Sequence, residues 1–456
     1  MKLTFNVLIL FISLALLSAC SHKKEKKKYA KLPATHASNV VISATIPTQI
    51  TSTGNPVTLA SLQHDFDVLS WQSFIALNWP ANADGTPKEN VTFGENESGM
   101  TVWQSWKSSR EIFLPKGKKP NAWGEVENIP IVCDSISAED LKNGIITLTQ
   151  VGKTPNVLDE SGEPFQTGPL IDQNGNYTRY EILTNEVMFD YIVDNTLYSY
   201  EGQKAFGKEA DFPFSNPKTG KEGAIMVKAA WIKMEGKYDA SQFHTAYALV
   251  YDNEEEQAGV ASACSLVKVG LVGLHIAHKT KGDPQWVWST FEHVANAPTQ
   301  GEPVNRSFYN YHDPTSTYPV NEPPARPWNP ANTGTTPTKV ERVIPIDADA
   351  KALNTKYQVA LEKLYKGSVW ANYELISTQW PTDATSVSDL TGKPAPTFLA
   401  NATLETYIQG TVPQTSSNCI ACHNNADMTN GMFSDFTYIL QRAKGKKEEE
   451  EIKSKK

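Results

Sequence analysis

The chain has 456 residues, of which 40% are hydrophobic, 20% are charged and five are cysteines. Such a composition is typical of a globular protein, and the length allows one large core or two to three domain-sized units. The formal net charge of −8 at pH 7 weighs against nucleic acid and other anionic partners.

The N-terminus has the pattern of a bacterial export signal. Lys2 supplies a positive charge, residues 3–17 are almost wholly apolar, and Leu17-Ser18-Ala19-Cys20 follows. The apolar run is too short for a stable membrane span. Leu-Ser-Ala-Cys resembles the lipobox of bacterial lipoproteins, which implies removal of residues 1–19 and lipid on Cys20. A plain signal peptide with a coincidental cysteine is the alternative, and either one predicts export to the periplasm or the outer cell-envelope surface.

Residues 20–57 form a predicted lipid anchor and flexible tether. A basic run at 22–28 is followed by a Ser-, Thr- and Pro-rich stretch without hydrophobic periodicity. Charge runs of this kind are usually solvated spacers, and the polar stretch behaves as a linker.

Residues 58–395 form the predicted main body. Thr58 is a candidate helix cap, and apolar residues at three- and four-residue spacing predict a helix through Leu77. A second helix is expected from Val187 to Val193, continuing towards Leu197 and Tyr200. Short strand-like runs occur at Ile129–Cys133 and Ile145–Val151.

Four longer segments alternate or are rich in strand-forming residues. They are Ala224–Met234, Phe243–Tyr251, Leu266–His278 and Trp286–His293. Together they predict a mainly antiparallel sheet with flanking helices and long loops, so that the fold class is α+β. Residues 294–345 are rich in Pro, Asn and Thr and are expected to form a long loop.

The C-terminal third alternates between helical and extended patterns. A helix is predicted at Ala350–Tyr365, a strand at Val369–Ile376 and a closing helix at Ser434–Ala443. Residues 396–443 contain a C-x-x-C-H motif, and we assign them to a short C-terminal haem segment. Residues 444–456 form a charged tail.

Cys419-Ile420-Ala421-Cys422-His423 reads C-x-x-C-H, the attachment sequence of c-type haem. Two thiols at this spacing can form thioethers to one porphyrin, and the adjacent imidazole of His423 then binds the iron from the proximal side. A zinc half-site is the alternative, although zinc would require a second ligand pair and no further C-x-x-C exists in the sequence. We therefore predict one covalent haem c.

The remaining cysteines are Cys133 and Cys264. In an oxidising compartment they form a possible disulfide, and two separate buried thiols are the alternative.

The sixth iron ligand is not obvious from the sequence. The only methionines after the motif are Met428 and Met432. Both are too close to it in sequence to reach the far side of a porphyrin easily. The candidate distal ligands are therefore His275, His278 or His293. His275 and His278 lie three apart on a predicted strand, so at most one of them faces the haem.

Several strings resemble a set of exported bacterial single-haem proteins that are usually named only as cytochrome c family proteins. The strings are Trp71–Pro80, Gly273–Thr280, Trp288–His293 and Ser434–Leu440. The resemblance implies export and haem binding, and it implies no particular substrate.

Electron transfer to a redox partner protein is the first functional hypothesis. The alternative is a haem-dependent redox enzyme of oxidase or peroxidase type, with an open distal site for a small-molecule substrate. The size of the body favours the alternative, since electron carriage alone needs only about 100 residues. A sensory or binding lipoprotein is a third hypothesis. The catalytic residues are unknown, because the sequence contains no phosphate-binding glycine loop, H-E-x-x-H or G-x-S-x-G.

Overall fold

A computed structural model describes residues 40–52, 54–95, 99–125, 146–148, 168–251, 264–325, 336–383, 393–410 and 417–445. The export signal, Cys20 and Cys133 lie outside these ranges, as do the strand expected at Ile129–Cys133 and most of the charged tail. The lipid anchor and the disulfide with Cys264 therefore stay predictions.

A mainly antiparallel sheet of eight strands forms the centre of the described chain and confirms the predicted α+β class. The strands are β1 (Lys107–Ser108), β2 (Ile146–Leu148), β3 (Arg179–Thr184), β4 (Ile225–Lys233), β5 (Thr245–Tyr251), β6 (Cys264–Thr280), β7 (Asp283–His293) and β8 (Tyr373–Pro381). The order is β1-β3-β4-β6-β7-β8; β5 also pairs with β6, and β2 runs parallel to β5. A two-residue strand, β9 (Pro394–Ala395), pairs with the end of β8.

The helices flank this sheet. They are α1 (Leu59–Leu77), α2 (Ser109–Ile112), α3 (Glu186–Asp194), α4 (Tyr200–Phe206), α5 (Ala348–Leu364) and α6 (Cys419–His423). The predicted cap of α1 is confirmed, because the Thr58 side chain accepts a hydrogen bond from the backbone N–H of Ser61. In the described ranges no helix is both long enough and apolar enough to cross a membrane.

One face of the sheet packs against α1 and α5, and we call it the helix face. Ser70 of α1 lies 2.6 Å from the hydroxyls of both Ser289 and Thr378. Phe74 stacks on Phe291 of β7 with ring centroids 4.3 Å apart. This face is therefore closed by dense aromatic and aliphatic packing.

The opposite face, which we call the motif face, carries Trp288 of β7. Side chains alternate along a strand, so the residues paired with Trp288, namely Ala277 and Gln379, share its face. This face is covered by α3, α4 and the C-terminal segment. One hydrophobic cluster joins them to the sheet, with Met188, Ile192, Trp286, Trp288, Ile420 and Leu440 among its members.

Three predicted elements differ from the structure. The helix after Val187 ends at Asp194, because Thr196 has a left-handed φ of 55°, and α4 begins separately at Tyr200. The strand predicted from Val369 begins only at Tyr373, after a 3₁₀ turn. The predicted closing helix at Ser434–Ala443 is wrong: it contains only a 3₁₀ turn at Tyr438–Arg442, since residues 435 and 436 both have positive φ.

Candidate haem site

The C-x-x-C-H sequence forms a single helical turn, α6. Asn418 caps this turn, because its side-chain oxygen accepts a hydrogen bond from the N–H of Ala421 at 2.9 Å. At about 100° per residue, Cys419, Cys422 and His423 project within an arc of roughly 100° on one side of the helix. All three side chains are partly exposed, and neither cysteine takes part in a disulfide.

Contacts with the sheet and with the C-terminal segment hold α6 in place. Ile420 is fully buried, and its N–H donates to Oε1 of Gln379 at 2.9 Å. Gln379 also donates through Nε2 to the carbonyl of Pro396 at 2.7 Å. The hydroxyl of Tyr438 donates to the Cys422 carbonyl at 2.8 Å. The motif is thus fixed to β8 on one side and to the chain that follows it on the other.

The ring of His423 is oriented by a backbone carbonyl and two aromatic side chains. Its Nδ1 lies 2.7 Å from the carbonyl oxygen of Phe436. A carbonyl can only accept, so Nδ1 carries the proton and the lone pair of the neutral ring is on Nε2. The ring centroid lies 4.3 Å from that of Trp288 and 5.2 Å from that of Tyr438. This tautomer and this orientation suit a metal-binding imidazole.

A partly exposed row of side chains crosses the motif face next to Trp288. The row consists of Ile182, Lys228 and His275, which are cross-strand partners on β3, β4 and β6. We call it the open strip. His275 is two residues from Ala277, the partner of Trp288. The strip therefore lies on the same face of the sheet as the Trp288 ring that contacts His423.

His275 has a carboxylate partner. Its Nε2 lies 3.0 Å from Oε1 of Glu405, and the two side chains are 20% and 15% exposed. Glu405 belongs to the chain just before the motif, and its other oxygen accepts from the N–H of Asn401 at 3.0 Å. Glu405 therefore links the open strip to the segment that leads into α6.

The structure separates the other two candidate histidines from the motif. His278 pairs with Val287 and so lies on the helix face. It is buried, neither ring nitrogen has a hydrogen-bond partner among the described residues, and burial lowers its pKa to about 4. His293 donates from Nε2 to the Gln242 carbonyl at 2.9 Å, accepts from the N–H of Ala295 at Nδ1 and stacks on Phe243. Of the three candidates, only His275 is on the open strip.

The two methionines after the motif have different environments. Met428 is buried in the hydrophobic cluster beneath the motif, whereas Met432 is 36% exposed. The burial of Met428 indicates a packing residue, which is the usual role of buried methionine.

The residues present have the chemistry that a c-type haem requires. Cys419, Cys422 and His423 project on one side of a helical turn, the bond to Nδ1 leaves the lone pair of His423 on Nε2, and Trp288 supplies an aromatic wall beside the His423 ring. Within the described ranges, no group of three or more His, Cys, Asp or Glu side chains is arranged to hold a metal ion by itself. The contributions of Gln379, Phe436 and Glu405 were not predicted, since each depends on a contact distant in sequence or made by the backbone.

No protein-family model, curated protein sequence or solved structure matches this chain. The geometry of the motif and the chemistry of its residues are therefore the basis for assigning a function. The resemblance to exported single-haem proteins stays a prediction from the quoted strings.

Proposed function

We propose that the protein is an exported c-type cytochrome, tethered to a membrane through Cys20, which binds one covalent haem and transfers electrons. The observation that carries the proposal is the turn Cys419–His423, in which two thiols and an oriented imidazole share one side. When bound, haem c supplies reversible one-electron chemistry at its iron.

The chain's own residues have distinct roles in this proposal. Cys419 and Cys422 bind the cofactor covalently, and His423 is the proximal ligand. The Phe436 carbonyl holds the proton on Nδ1 of His423, and Gln379 holds the start of the motif turn against the sheet. Trp288 excludes water from one side of the His423 ring, since the centroids of the two rings are 4.3 Å apart.

We infer that His275 is the sixth ligand. It shares a sheet face with Trp288, and its side chain is partly exposed on that face. The Glu405 carboxylate beside Nε2 resembles the carboxylate partners that commonly orient metal-bound histidines. With its proton on Nε2, His275 would bind through Nδ1.

A haem-dependent redox enzyme is the second candidate function. The open strip favours it, because the partly exposed side chains of Lys228 and His275 lie on the sheet face that carries the motif, where a small molecule could contact them. In that case the distal position is open and His275 contacts the substrate instead of the iron.

Absorption spectra test both candidates. The protein should be exported with a working haem-attachment system, and ferric and ferrous spectra recorded with and without carbon monoxide. We expect a covalent haem with a low-spin ferrous spectrum that carbon monoxide does not change. The absence of covalent haem would refute both functions, and a carbon monoxide-sensitive, high-spin spectrum would favour the enzyme.

His275→Ala locates the sixth ligand. We expect this variant to become high-spin and to bind carbon monoxide, while its haem remains covalent. His278→Leu is the matched control, because His278 lies on the opposite face and its replacement should leave the spectrum unchanged. An unchanged spectrum for His275→Ala would exclude His275 as a ligand.

Membrane attachment needs a separate experiment. Cys20→Ser should move the mature protein from the membrane fraction to the soluble periplasmic fraction without loss of haem. Mass spectrometry of the wild-type N-terminus should find a lipid-modified cysteine, and an unmodified N-terminus would refute the anchor.

A further inference from the structure

A buried ion pair lies next to Phe436, the residue whose carbonyl orients His423. Lys279 of β6 and Asp435 approach to 2.6 Å, and their side chains are only 4% and 6% exposed, whereas the second partner of Lys279, Asp211 at 2.6 Å, is exposed to solvent. Asp435 also accepts hydrogen bonds from the backbone N–H of Phe212 at 2.7 Å and from the Trp286 indole at 3.4 Å. Three donors from three different parts of the chain therefore converge on one carboxylate.

The backbone at Asp435 is unusual. Asp435 and Phe436 have φ values of 53° and 61°, which is the left-handed region that residues with a Cβ rarely adopt. Two consecutive residues in this region persist only where the surroundings hold them. The bonds to Asp435 and the burial of the Phe436 side chain in the hydrophobic cluster provide this restraint.

This turn sets the direction of the Phe436 carbonyl, which accepts from Nδ1 of His423 at 2.7 Å. A hydrogen bond at Nδ1 fixes the ring and makes Nε2 a stronger donor to a metal. A buried ion pair by itself is weak evidence for a stabilising role, because desolvating two charges offsets much of their attraction. The geometry thus favours a role in positioning.

We propose that the Lys279–Asp435 pair is a positioning device that sets the reduction potential of the haem, by holding the Phe436 carbonyl against His423. The inference rests on the proposed function, since it requires His423 to bind iron. A stronger Nε2 donor stabilises the ferric state, so an intact pair keeps the potential low.

The two single variants Lys279→Met and Asp435→Asn separate positioning from simple charge. A buried cation near the haem raises the potential and a buried anion lowers it, so loss of charge alone would move the two variants in opposite directions. Positioning predicts that both variants weaken the carbonyl contact and raise the potential. We expect the ferric–ferrous equilibrium constant to change about tenfold in each, which for one electron is ~59 mV.

Asn354→Ala is the matched control. Asn354 is equally buried and bonds to the Trp71 indole and to the backbone of Leu375, but it belongs to α5 on the helix face. Its loss should lower stability and leave the potential at the wild-type value.

The experiment is a redox titration of the exported haem protein and its variants. Wild-type protein without haem would refute the proposed function and this inference together. Haem-loaded variants whose potentials move in opposite directions, or no more than that of Asn354→Ala, would refute the inference alone. If neither variant folds, Asp435→Glu keeps the charge but displaces the turn, and an unchanged potential there would also refute it.

Discussion

The adjacent residues Thr378 and Gln379 of strand β8 point to opposite faces of the sheet, which differ in environment. The Thr378 hydroxyl bonds to Ser70 beneath α1 at 2.6 Å, whereas Gln379 accepts from the N–H of Ile420 in the motif turn at 2.9 Å. The same sheet therefore supports a closed core on one face and the candidate haem site on the other.

The two faces differ in what lies between the sheet and its cover. The helix face is filled by rings in direct contact, such as Trp71 of α1 edge-on to Phe291 of β7 with centroids 5.2 Å apart. The motif face has the partly exposed open strip, and Cys419, Cys422 and His423 over the same face are also partly exposed. Stability and cofactor chemistry should accordingly respond to changes on different faces.

The largest effect is expected from removing both motif thiols. Cys419→Ser with Cys422→Ser should abolish covalent haem, because no thioether can form. The unfolding free energy of the protein made without haem should change by no more than about 1 kcal/mol, since both side chains are partly exposed. Intact-mass spectrometry and urea unfolding measure the two quantities.

Ala421→Ser is the control for this variant. It lies between the two cysteines and leaves both thiols in place, so its haem content should equal that of the wild type. Covalent haem in the double variant would contradict the assignment of the motif.

The next effect concerns the helix face. Phe74 is fully buried and stacks on Phe291. Phe74→Ala should lower the unfolding free energy by about 3–5 kcal/mol, through lost burial and the cavity left behind. The folded fraction should keep a normal haem spectrum.

Val359→Ala is the comparison on the same side of the sheet. Val359 is 62% exposed on α5, so its truncation should change stability by only about 0.5 kcal/mol. A changed haem spectrum in folded Phe74→Ala would show that the faces are not independent.

Local patterns made much of the fold predictable. The spacing after Thr58 predicted α1, and alternation predicted the four long strands to within a few residues, because buried strands and amphipathic helices leave periodic marks in a sequence. The C-x-x-C-H motif could be recognised because haem attachment, the function proposed for it, requires a fixed local spacing.

Features that depend on single backbone angles or on long-range contacts could not be predicted from the sequence. The segment Ser434–Ala443 does not form the expected closing helix, because Asp435 and Phe436 adopt left-handed conformations that no local pattern reveals. Gln379 was not identified because its contact with the motif spans 41 positions. Alternation correctly separated His275 from His278, but only strand pairing could show which of them shares a face with Trp288.

A pH-dependent effect is expected from His278 on the helix face. Burial lowers its pKa from 6.5 to about 4, so the unfolded chain binds a proton at this residue between these values and the folded protein does not. Stability is therefore lost as the pH falls from about 6.5 to 4, by roughly 3 kcal/mol in total.

His278→Leu should remove this loss. Leucine cannot bind a proton, and its volume is similar to that of histidine. The stability of the variant relative to wild type should therefore rise on acidification across that window. Urea unfolding at pH 7, 5.5 and 4 measures the difference, and parallel pH profiles would indicate that His278 does not titrate on unfolding.

Among the substituted buried residues, the smallest change in unfolding free energy is expected at the adjacent residues Thr378 and Gln379 of β8. Thr378→Val removes the hydroxyl that bonds to Ser70, and Gln379→Leu removes the side-chain acceptor for the Ile420 N–H. Gln379→Leu leaves the buried N–H of Ile420 without its acceptor, and Thr378→Val removes one of the two hydroxyls that bond to Ser70. Each change should cost about 1–2 kcal/mol of unfolding free energy.

The two variants should differ in their haem. Gln379→Leu loosens the start of the motif turn, so we expect a lower yield of covalent haem and a broader ferrous spectrum, whereas Thr378→Val should match the wild type in both. Because the two changes are one residue apart and similar in energetic cost, a general loss of stability would affect the haem yield of both. Equal yields would therefore mean that attachment depends on global folding and that the motif face has no separate control over it.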